Sequence, residues 1–235
     1  MIIIPARLAS TRFPQKILAN INGVPMVIAT AQRVQNLDDV AIATDSQEVL
    51  HIAKDYGFKA ILTGEHHQSG TDRINEAASK LSLSDEEIIV NVQADEPFIE
   101  ETVVQSVIER AKNANALITS CCKKIDLLHV KDPNLVKVIL DANGNAIYFS
   151  RSAIPYDREG GFDGYFGHLG IYAFTKKSLQ TFCALPYAPI EHIEKLEQLR
   201  AIYHGYKIAM VEVQSQSFGI DTPEDLDRAL KFFKY

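Results

Sequence analysis

Hydrophobic and polar residues follow two different periods along this chain. Short apolar runs at 2–4, 40–44 and 88–92 predict strands, and the run at 2–4, which has no polar alternation, is typical of a strand that is buried on both faces of a parallel sheet. Between such runs, amphipathic patterns over about 46–56 and 101–113 predict helices. Strands that alternate with helices indicate βαβ units, so we expect an α/β fold with a doubly wound, mostly parallel nucleotide-binding sheet.

The middle of the chain has a different pattern. Two apolar segments flank Asn143-Gly144, a dipeptide that accepts the positive φ angles of a tight hairpin, and this predicts antiparallel strands. A polar helix is predicted over about 191–204. We therefore expect one domain over 1–235 that carries an inserted, antiparallel β-rich portion at about 117–175.

Composition narrows the range of functions. The formal charge of -6, from 24 basic and 30 acidic side chains, argues against a nucleic-acid partner, which would require a surplus of Lys and Arg. The 3 cysteines have no CxxC spacing, so neither a disulfide framework nor a zinc site is predicted, and a reducing cytoplasm is the expected location. No apolar stretch approaches the length of a membrane span, so we expect no membrane insertion.

The loop after the first strand carries three cations. Pro5 is expected to end that strand, and Arg7, Arg12 and Lys16 follow it, separated by small or hydroxylated residues. In open α/β sheets ligands bind beyond the carboxyl ends of the strands, so this loop is a candidate anion site. A solvated basic loop is the alternative, and the position after the first strand favours the anion site.

Two carboxylates are candidates for a metal site. Asp95 follows the apolar run at 88–92, at the edge of the sheet where the basic loop is expected. Asp221 precedes Thr222, which can cap the last helix, and this leaves Asp221 available for another role. Mg²⁺ is usually held by one or two carboxylates together with substrate phosphates, and these two residues supply that number.

Other polar residues could bind an acidic sugar, although each also has an ordinary structural explanation. The planar guanidinium of Arg151 can bind a carboxylate bidentately, or Arg151 is a surface residue at a strand end. His168 and Tyr172 alternate onto one face of a predicted strand, where a core histidine is the usual explanation. Glu197 and Gln198 lie on the predicted polar helix and resemble ordinary surface residues.

Taken together, the motifs of the chain resemble those of one family. They are S-x-R and P-x-K at 10–16, "NGVPM" at 22–26, "SGTDR" at 69–73, "NVQADEP" at 91–97, "YFSRSAIP" at 148–155, "HLGIY" at 168–172, "LEQLR" at 196–200 and "GIDTPEDL" at 219–226. In this order they resemble the cytidylyltransferases that activate acidic sugars, most closely those acting on 3-deoxy-manno-octulosonate (Kdo). The chain departs from the family's pattern at Gln15 and Ala94, where glycine is usual.

The resemblance implies a reaction and a set of site residues. Kdo and CTP would give CMP-Kdo and pyrophosphate, for lipopolysaccharide biosynthesis, in a cytoplasmic, Mg²⁺-dependent homodimer that associates through the β-rich insertion. The implied ligands of the CTP phosphates are Arg7, Ser10, Arg12 and Lys16, those near cytosine and ribose are Thr71, Arg73 and Gln93, those of Mg²⁺ are Asp95 and Asp221, and those of the sugar are Arg151, His168, Tyr172, Glu197 and Gln198. Catalysis is expected from Arg7, Arg12, Lys16, Asp95 and Asp221.

Two other functions stay open at this point. One is a CMP-sialic acid synthetase, which shares the phosphate motif and also takes an acidic sugar; "NVQADEP" and "HLGIY" favour Kdo instead. The other is a non-catalytic nucleotide-sugar-binding protein on the same fold, and the presence of both Asp95 and Asp221 favours an enzyme.

Overall fold

The computed structural model describes residues 1–233, so the last two residues of the expected 1–235 domain lie outside the described part. The chain divides into two compact units, which we call unit 1 (residues 1–105 and the chain from residue 215 onward) and unit 2 (residues 106–214). A single domain with an insertion at 117–175 stays a prediction.

Strands and helices alternate through most of the chain. The strands are β1 (Ile2–Ala6), β2 (Asn20–Ile21), β3 (Val24–Pro25), β4 (Val40–Thr44), β5 (Lys59–Leu62), β6 (Ile88–Asn91), β7 (Ile118–Lys124), β8 (Lys137–Leu140), β9 (Ala146–Ser150), β10 (Phe166–Thr175) and β11 (Ile208–Glu212). The helices are α1 (Met26–Val34), α2 (Gln47–Asp55), α3 (Gly70–Lys80), α4 (Glu101–Asn113), α5 (Lys176–Ala184), α6 (Pro189–Glu194), α7 (Leu199–Tyr203) and α8 (Pro223–Phe232).

Unit 1 contains a parallel sheet in the strand order β6-β1-β4-β5. β1 pairs with β4 along its whole length, from Ile2 opposite Val40 to Ala6 opposite Thr44. Every residue of β1 is buried, as expected for a central strand without polar alternation. The predicted α/β architecture with a mostly parallel sheet is confirmed.

The winding of this sheet reverses at β1. From β1 the chain adds β4 and β5 on one side, and then places β6 on the other side of β1. Ligands of open α/β sheets bind at the point where the strand order reverses, beyond the carboxyl ends of the strands. The basic loop after β1 and the segment after β6 both begin there, which positions them for a common site.

Two features of unit 1 differ from the expectation. Pro5 does not end β1, because the strand continues to Ala6. The pairing of β1 with β6 covers only Ile2 and Ile3, so Pro5 lies beyond the hydrogen bonds between these two strands.

Helix α1 was not predicted. Most of its residues are buried around its whole circumference, so it lacks the polar face that a helical period requires.

Unit 2 carries the antiparallel strands. β7 pairs antiparallel with β10, β10 with β8, and β8 with β9, while β11 lies parallel to β7. The predicted hairpin around Asn143-Gly144 is confirmed. Gly144 has a φ of 74°, and the Asp141 carboxylate accepts the backbone N–H groups of Asn143 and Asn145 in the turn.

The prediction of one continuous polar helix over 191–204 is wrong, because the structure has two short helices there, α6 and α7. Lys195 ends α6 in the left-handed conformation with a φ of 53°. The Arg151 side chain donates hydrogen bonds to the carbonyl oxygens of Glu194 and Lys195, which an uninterrupted helix would use internally. Glu197 and Gln198 therefore lie between α6 and α7 rather than on a polar helix face.

Within residues 1–233, no helix combines the length and apolar character needed to cross a bilayer. The same described part contains no disulfide among Cys121, Cys122 and Cys183.

Candidate active site

A cavity of about 330 Å³ lies in unit 1, beyond the carboxyl ends of β1 and β6. Of the residues predicted to bind nucleotide or metal, the cavity is lined by Arg7, Ser10, Arg12, Lys16, Arg73, Gln93, Asp95 and Asp221. Thr71 is 1% exposed and is not part of the lining. Eight of the nine residues predicted to bind nucleotide or metal thus line one cavity, and their contacts with a ligand stay predictions.

Lys16 connects the two acidic residues of this cavity. Its Nζ lies 2.5 Å from Oδ2 of Asp95 and 3.1 Å from Oδ1 of Asp221. Arg12 Nη2 lies 3.0 Å from the same oxygen of Asp221. Burial by itself lowers the pKa of Lys16, but the two carboxylates outweigh it and the pKa is raised, so the ammonium is fully charged at neutral pH.

Backbone contacts hold the acidic residues in place. The N–H of Ile220 donates to the carbonyl oxygen of Asp95 at 3.0 Å, which joins the segments that carry the two carboxylates. Thr222 caps α8 by accepting the N–H of Asp225, as predicted. The side chain of Asp221 is therefore not needed as a cap and is available to the cavity.

The motif "SGTDR" forms the start of α3 at the cavity wall. Ser69 caps the helix by accepting the N–H of Asp72. A Cβ atom at Gly70 would lie 3.0 Å from the Pro5 side chain, so glycine lets α3 approach the end of β1 closely. This packing brings the first turn of α3 beside the basic loop.

Arg73 is bound mainly within the protein. It is 2% exposed, and its guanidinium contacts Asp45 Oδ2 at 2.7 Å and donates to Thr63 Oγ1 at 2.6 Å. Asp45 also accepts the N–H of Leu8 in the basic loop at 3.4 Å. Asp45 was not predicted; it connects the buried Arg73 to the loop that carries Arg7, and this indicates a positioning role.

His67 is a second residue that the sequence reasoning missed. It lines the cavity, and its Nε2 contacts the carboxylate of Glu76 on α3. Its place two residues before the start of "SGTDR" was the available signal, because the residues beside a binding motif belong to the same loop.

The predicted sugar ligands lie in unit 2, and three of them form one network. His168 Nε2 lies 2.9 Å from Ser120 Oγ, and His168 Nδ1 lies 3.5 Å from Gln198 Nε2. The Tyr172 hydroxyl donates to Gln198 Oε1 at 3.3 Å. Desolvation lowers the pKa of His168 to about 3, so the ring is neutral at physiological pH.

The other two predicted sugar ligands are placed differently. Arg151 donates to the backbone carbonyl oxygens of Glu194 at 2.8 Å and Pro133 at 2.8 Å, in addition to the longer bond to Lys195. The planar guanidinium of Arg151 is thus largely hydrogen-bonded to backbone carbonyl oxygens. Glu197 is half-buried beside the network, and the coulombic effect of its carboxylate adds to burial in raising the pKa of Tyr172 well above its usual value.

The family model "Cytidylyltransferase" matches residues 1–208 of the chain. The chain belongs to the cytidylyltransferase family. Among curated relatives of this family, the 3-deoxy-manno-octulosonate cytidylyltransferase of Nitratiruptor sp. is 61% identical, with 97% of each chain aligned. The protein of that name from Wolinella succinogenes is 53% identical, with 99% of each chain aligned.

A solved structure of the family supports the same relationship. It is described as CMP:2-keto-3-deoxy-manno-octonic acid synthetase complexed with CTP. It superposes with a TM-score of 0.89 at 36% identity, covering 98% of this chain and 96% of that one. The family resemblance inferred from the motifs is confirmed, and so is the fold.

Proposed function

We propose that this chain transfers the cytidylyl group of CTP to Kdo and releases pyrophosphate. The anomeric hydroxyl oxygen of the sugar forms a bond to the α-phosphorus, the bond from that phosphorus to the departing pyrophosphate breaks, and the hydroxyl proton is lost. The observation that carries the proposal is the meeting of Lys16, Asp95 and Asp221 in one cavity where the sheet reverses its winding. The names of the two full-length relatives support Kdo as the sugar.

The basic loop supplies the groups that a triphosphate needs. In this proposal Arg7, Arg12, Lys16 and the Ser10 hydroxyl hold the CTP phosphates. Transfer of a nucleotidyl group depends on positioning and on neutralisation of charge rather than on a protein nucleophile. Arg12 and Lys16 act most in the transition state, because negative charge grows on the departing pyrophosphate.

Asp95 and Asp221 fit the role of Mg²⁺ ligands. Their oxygens converge on one ammonium group, so the two carboxylates are placed to share a small cation. Over residues 1–233, no group of three or more His, Cys, Asp and Glu side chains is arranged to hold a metal ion. Mg²⁺ usually takes one or two carboxylates and completes its coordination with phosphates and water, so two suffice. Bound there, Mg²⁺ would supply charge neutralisation and lower the pKa of the attacking hydroxyl.

The Kdo ligands of this proposal belong to unit 2. His168, Tyr172 and Gln198 form a connected set of neutral donors and acceptors, which suits the hydroxyl groups of a sugar. Arg151 and Glu197 complete the proposed set, with Arg151 as the receptor of the sugar carboxylate. For that role, Arg151 exchanges at least part of its bonds to backbone carbonyl oxygens for the bidentate carboxylate pair.

Three broader features belong to the same proposal. A homodimer that associates through the β-rich portion at about 117–175 is supported by exposed apolar side chains in that portion, including Leu128, Ile147 and Tyr156. A cytoplasmic location is supported by cysteines that form no disulfide within the described residues. Lipopolysaccharide biosynthesis is the process that the product CMP-Kdo would supply.

The identity of the product tests this function. The purified chain is incubated with CTP, Mg²⁺ and either Kdo, N-acetylneuraminate or no sugar, and the products are identified by mass spectrometry. We expect a CMP-sugar and an equal amount of pyrophosphate with Kdo alone. Product formation with N-acetylneuraminate instead of Kdo would assign the sialic acid reaction, and no product with any sugar would favour a binding protein.

A further inference from the structure

The nucleotide cavity contains a histidine to which the preceding assignments give no role. His67 lines the cavity together with Arg12, Lys16 and Arg73. Its side chain is 11% exposed, so a ligand in the cavity can reach only a small part of the ring. The contacts of the ring decide which of its two nitrogen atoms a ligand can reach.

Glu76 holds the ring of His67 through Nε2. The same carboxylate accepts the N–H of Gly64 at 2.9 Å and lies 2.7 Å from Lys80 Nζ. Burial alone would raise the pKa of Glu76, but the bonds from Lys80, Gly64 and His67 lower it to about 2. Glu76 is therefore an anion at neutral pH.

An anionic carboxylate can only accept hydrogen bonds, so Nε2 of His67 must carry the proton that is donated to it. This contact fixes the orientation of the ring and leaves Nδ1 as the nitrogen that can bind a ligand. The ring of His66 packs against that of His67 with centroids 4.4 Å apart, which restricts rotation further. His67 is thus a preorganised polar group in the cavity wall.

The contacts in the cavity form two networks, and this suggests which half of CTP meets His67. One network joins Arg12 and Lys16 to Asp95 and Asp221. In the other, Gly64 donates its N–H to Glu76 and accepts a bond from Arg73 through its carbonyl oxygen.

The triphosphate belongs with the first network, because it contains the more accessible cations. The second network is then left to the nucleoside. We propose that His67, oriented by Glu76, binds the cytosine or ribose of CTP through Nδ1. This inference rests on the proposed function, since it takes CTP as the ligand.

Two substitutions separate the two ring nitrogens. In His67→Asn the amide oxygen can lie near the former position of Nδ1 and accept in its place, whereas in His67→Gln the amide lies near the former position of Nε2. We expect His67→Gln to weaken CTP binding about tenfold, the equivalent of one good hydrogen bond, and His67→Asn to weaken it less. Glu76→Ala releases the ring and should also weaken CTP binding.

Calorimetric titration with CTP and with inorganic tripolyphosphate measures the effect, and thermal unfolding of each variant checks the fold. Tripolyphosphate affinity should be unchanged in all three variants, because they leave the cations intact. His51→Asn is the matched control and should bind CTP like the wild type, since His51 is exposed on α2 and does not line the cavity. If one His67 variant fails to fold, the other and Glu76→Ala decide the question.

Three results would overturn the role of His67. They are wild-type CTP affinity in His67→Gln, equal losses in His67→Asn and His67→Gln, and a matching loss of tripolyphosphate affinity, which would make His67 a phosphate ligand. A wild-type chain that does not bind CTP would contradict the proposed function itself. The two failures are therefore distinguishable.

Discussion

The side-chain nitrogen of Lys16 lies 2.5 Å from a carboxylate oxygen of Asp95, a residue 79 positions further along the chain. Asp221, 205 positions from Lys16, lies 3.1 Å from the same nitrogen. One ammonium group thus offsets the mutual repulsion of two carboxylates. A triphosphate carries several negative charges, so its binding depends on how the charge of Lys16 is shared between the two carboxylates and the phosphates.

The first prediction concerns the cations. Lys16→Ala should weaken CTP binding by about tenfold to a hundredfold, because it removes a charge-assisted contact and leaves Asp95 and Asp221 to repel the phosphates. Arg12→Ala should have a smaller effect, since Arg12 is 66% exposed. Calorimetric titration at two salt concentrations measures both losses. Lys54→Ala, on the exposed side of α2, is the control; wild-type CTP affinity in both site variants would show the basic loop to be a solvated surface.

A second prediction concerns Gln15, which has a φ of 52° in the left-handed region. That conformation is unfavourable for residues with a Cβ atom and favourable for glycine. Gln15→Gly should therefore raise the free energy of unfolding by about 0.5–1 kcal/mol, or the melting temperature by about 1–4 °C.

Gln35→Gly is the matched control for this change. Gln35 is also exposed but has a φ of -63°, so glycine should destabilise the protein there. Equal effects of the two substitutions on the melting temperature would contradict the argument from backbone strain.

A third prediction concerns pH. The pKa of His168 is lowered to about 3 in the folded protein, whereas in the unfolded chain it returns to about 6.5. Between these values the unfolded chain binds the extra proton, so the free energy of unfolding should fall as the pH is lowered from about 6.5 toward 3. One proton corresponds to a slope of at most about 1.4 kcal/mol per pH unit.

Denaturant unfolding between pH 5 and 6.5 tests this slope, because the carboxylate of Glu76, with a pKa of about 2, does not titrate there. His168→Gln should flatten the dependence on pH. An unchanged slope in that variant would mean that other groups cause it.

A fourth prediction concerns Arg151. If its guanidinium receives the sugar carboxylate, Arg151→Lys keeps the charge but loses the bidentate geometry, so the KM for Kdo should rise while the KM for CTP stays unchanged. Arg151→Ala should raise it further and also lower the melting temperature, because carbonyl oxygens of Pro133 and Glu194 lose their donor. Equal damage to both substrates, or a lower melting temperature without a change in the KM for Kdo, would show that Arg151 only supports the fold.

The sequence predicted those parts of the fold that follow from local patterns. The isoleucines of β1 indicated a strand buried on both faces, and the rule that ligands bind beyond strand ends predicted that the basic loop and Asp95 lie together. Thr222 was recognised as a helix cap from its neighbours alone, which made Asp221 a candidate. These predictions required only the period of the hydrophobic residues, the direction of the strands and the residue preferences of helix caps.

The remaining features depend on tertiary contacts that no local pattern contains. Seven of the nine residues of helix α1 are buried, and only Gln32 is exposed, so the helix has no continuous polar face. The left-handed Lys195 divides the predicted helix over 191–204, and Arg73 is buried because Asp45, 28 positions before it, forms an ion pair with it. A sequence motif identifies such residues as important, but it does not separate a ligand contact from a positioning contact.

The rate of pyrophosphate release from CTP and Kdo, measured in matched variants over a range of Mg²⁺ concentrations, tests the central claim most directly. Asp95→Asn and Asp221→Asn preserve shape but remove charge, so each should lower the rate at saturating substrates by at least about 100-fold. Asp227→Asn, on the exposed face of α8, should retain the wild-type rate. Near wild-type rates in both site variants, or a rate that survives removal of Mg²⁺ by a chelator, would contradict the account.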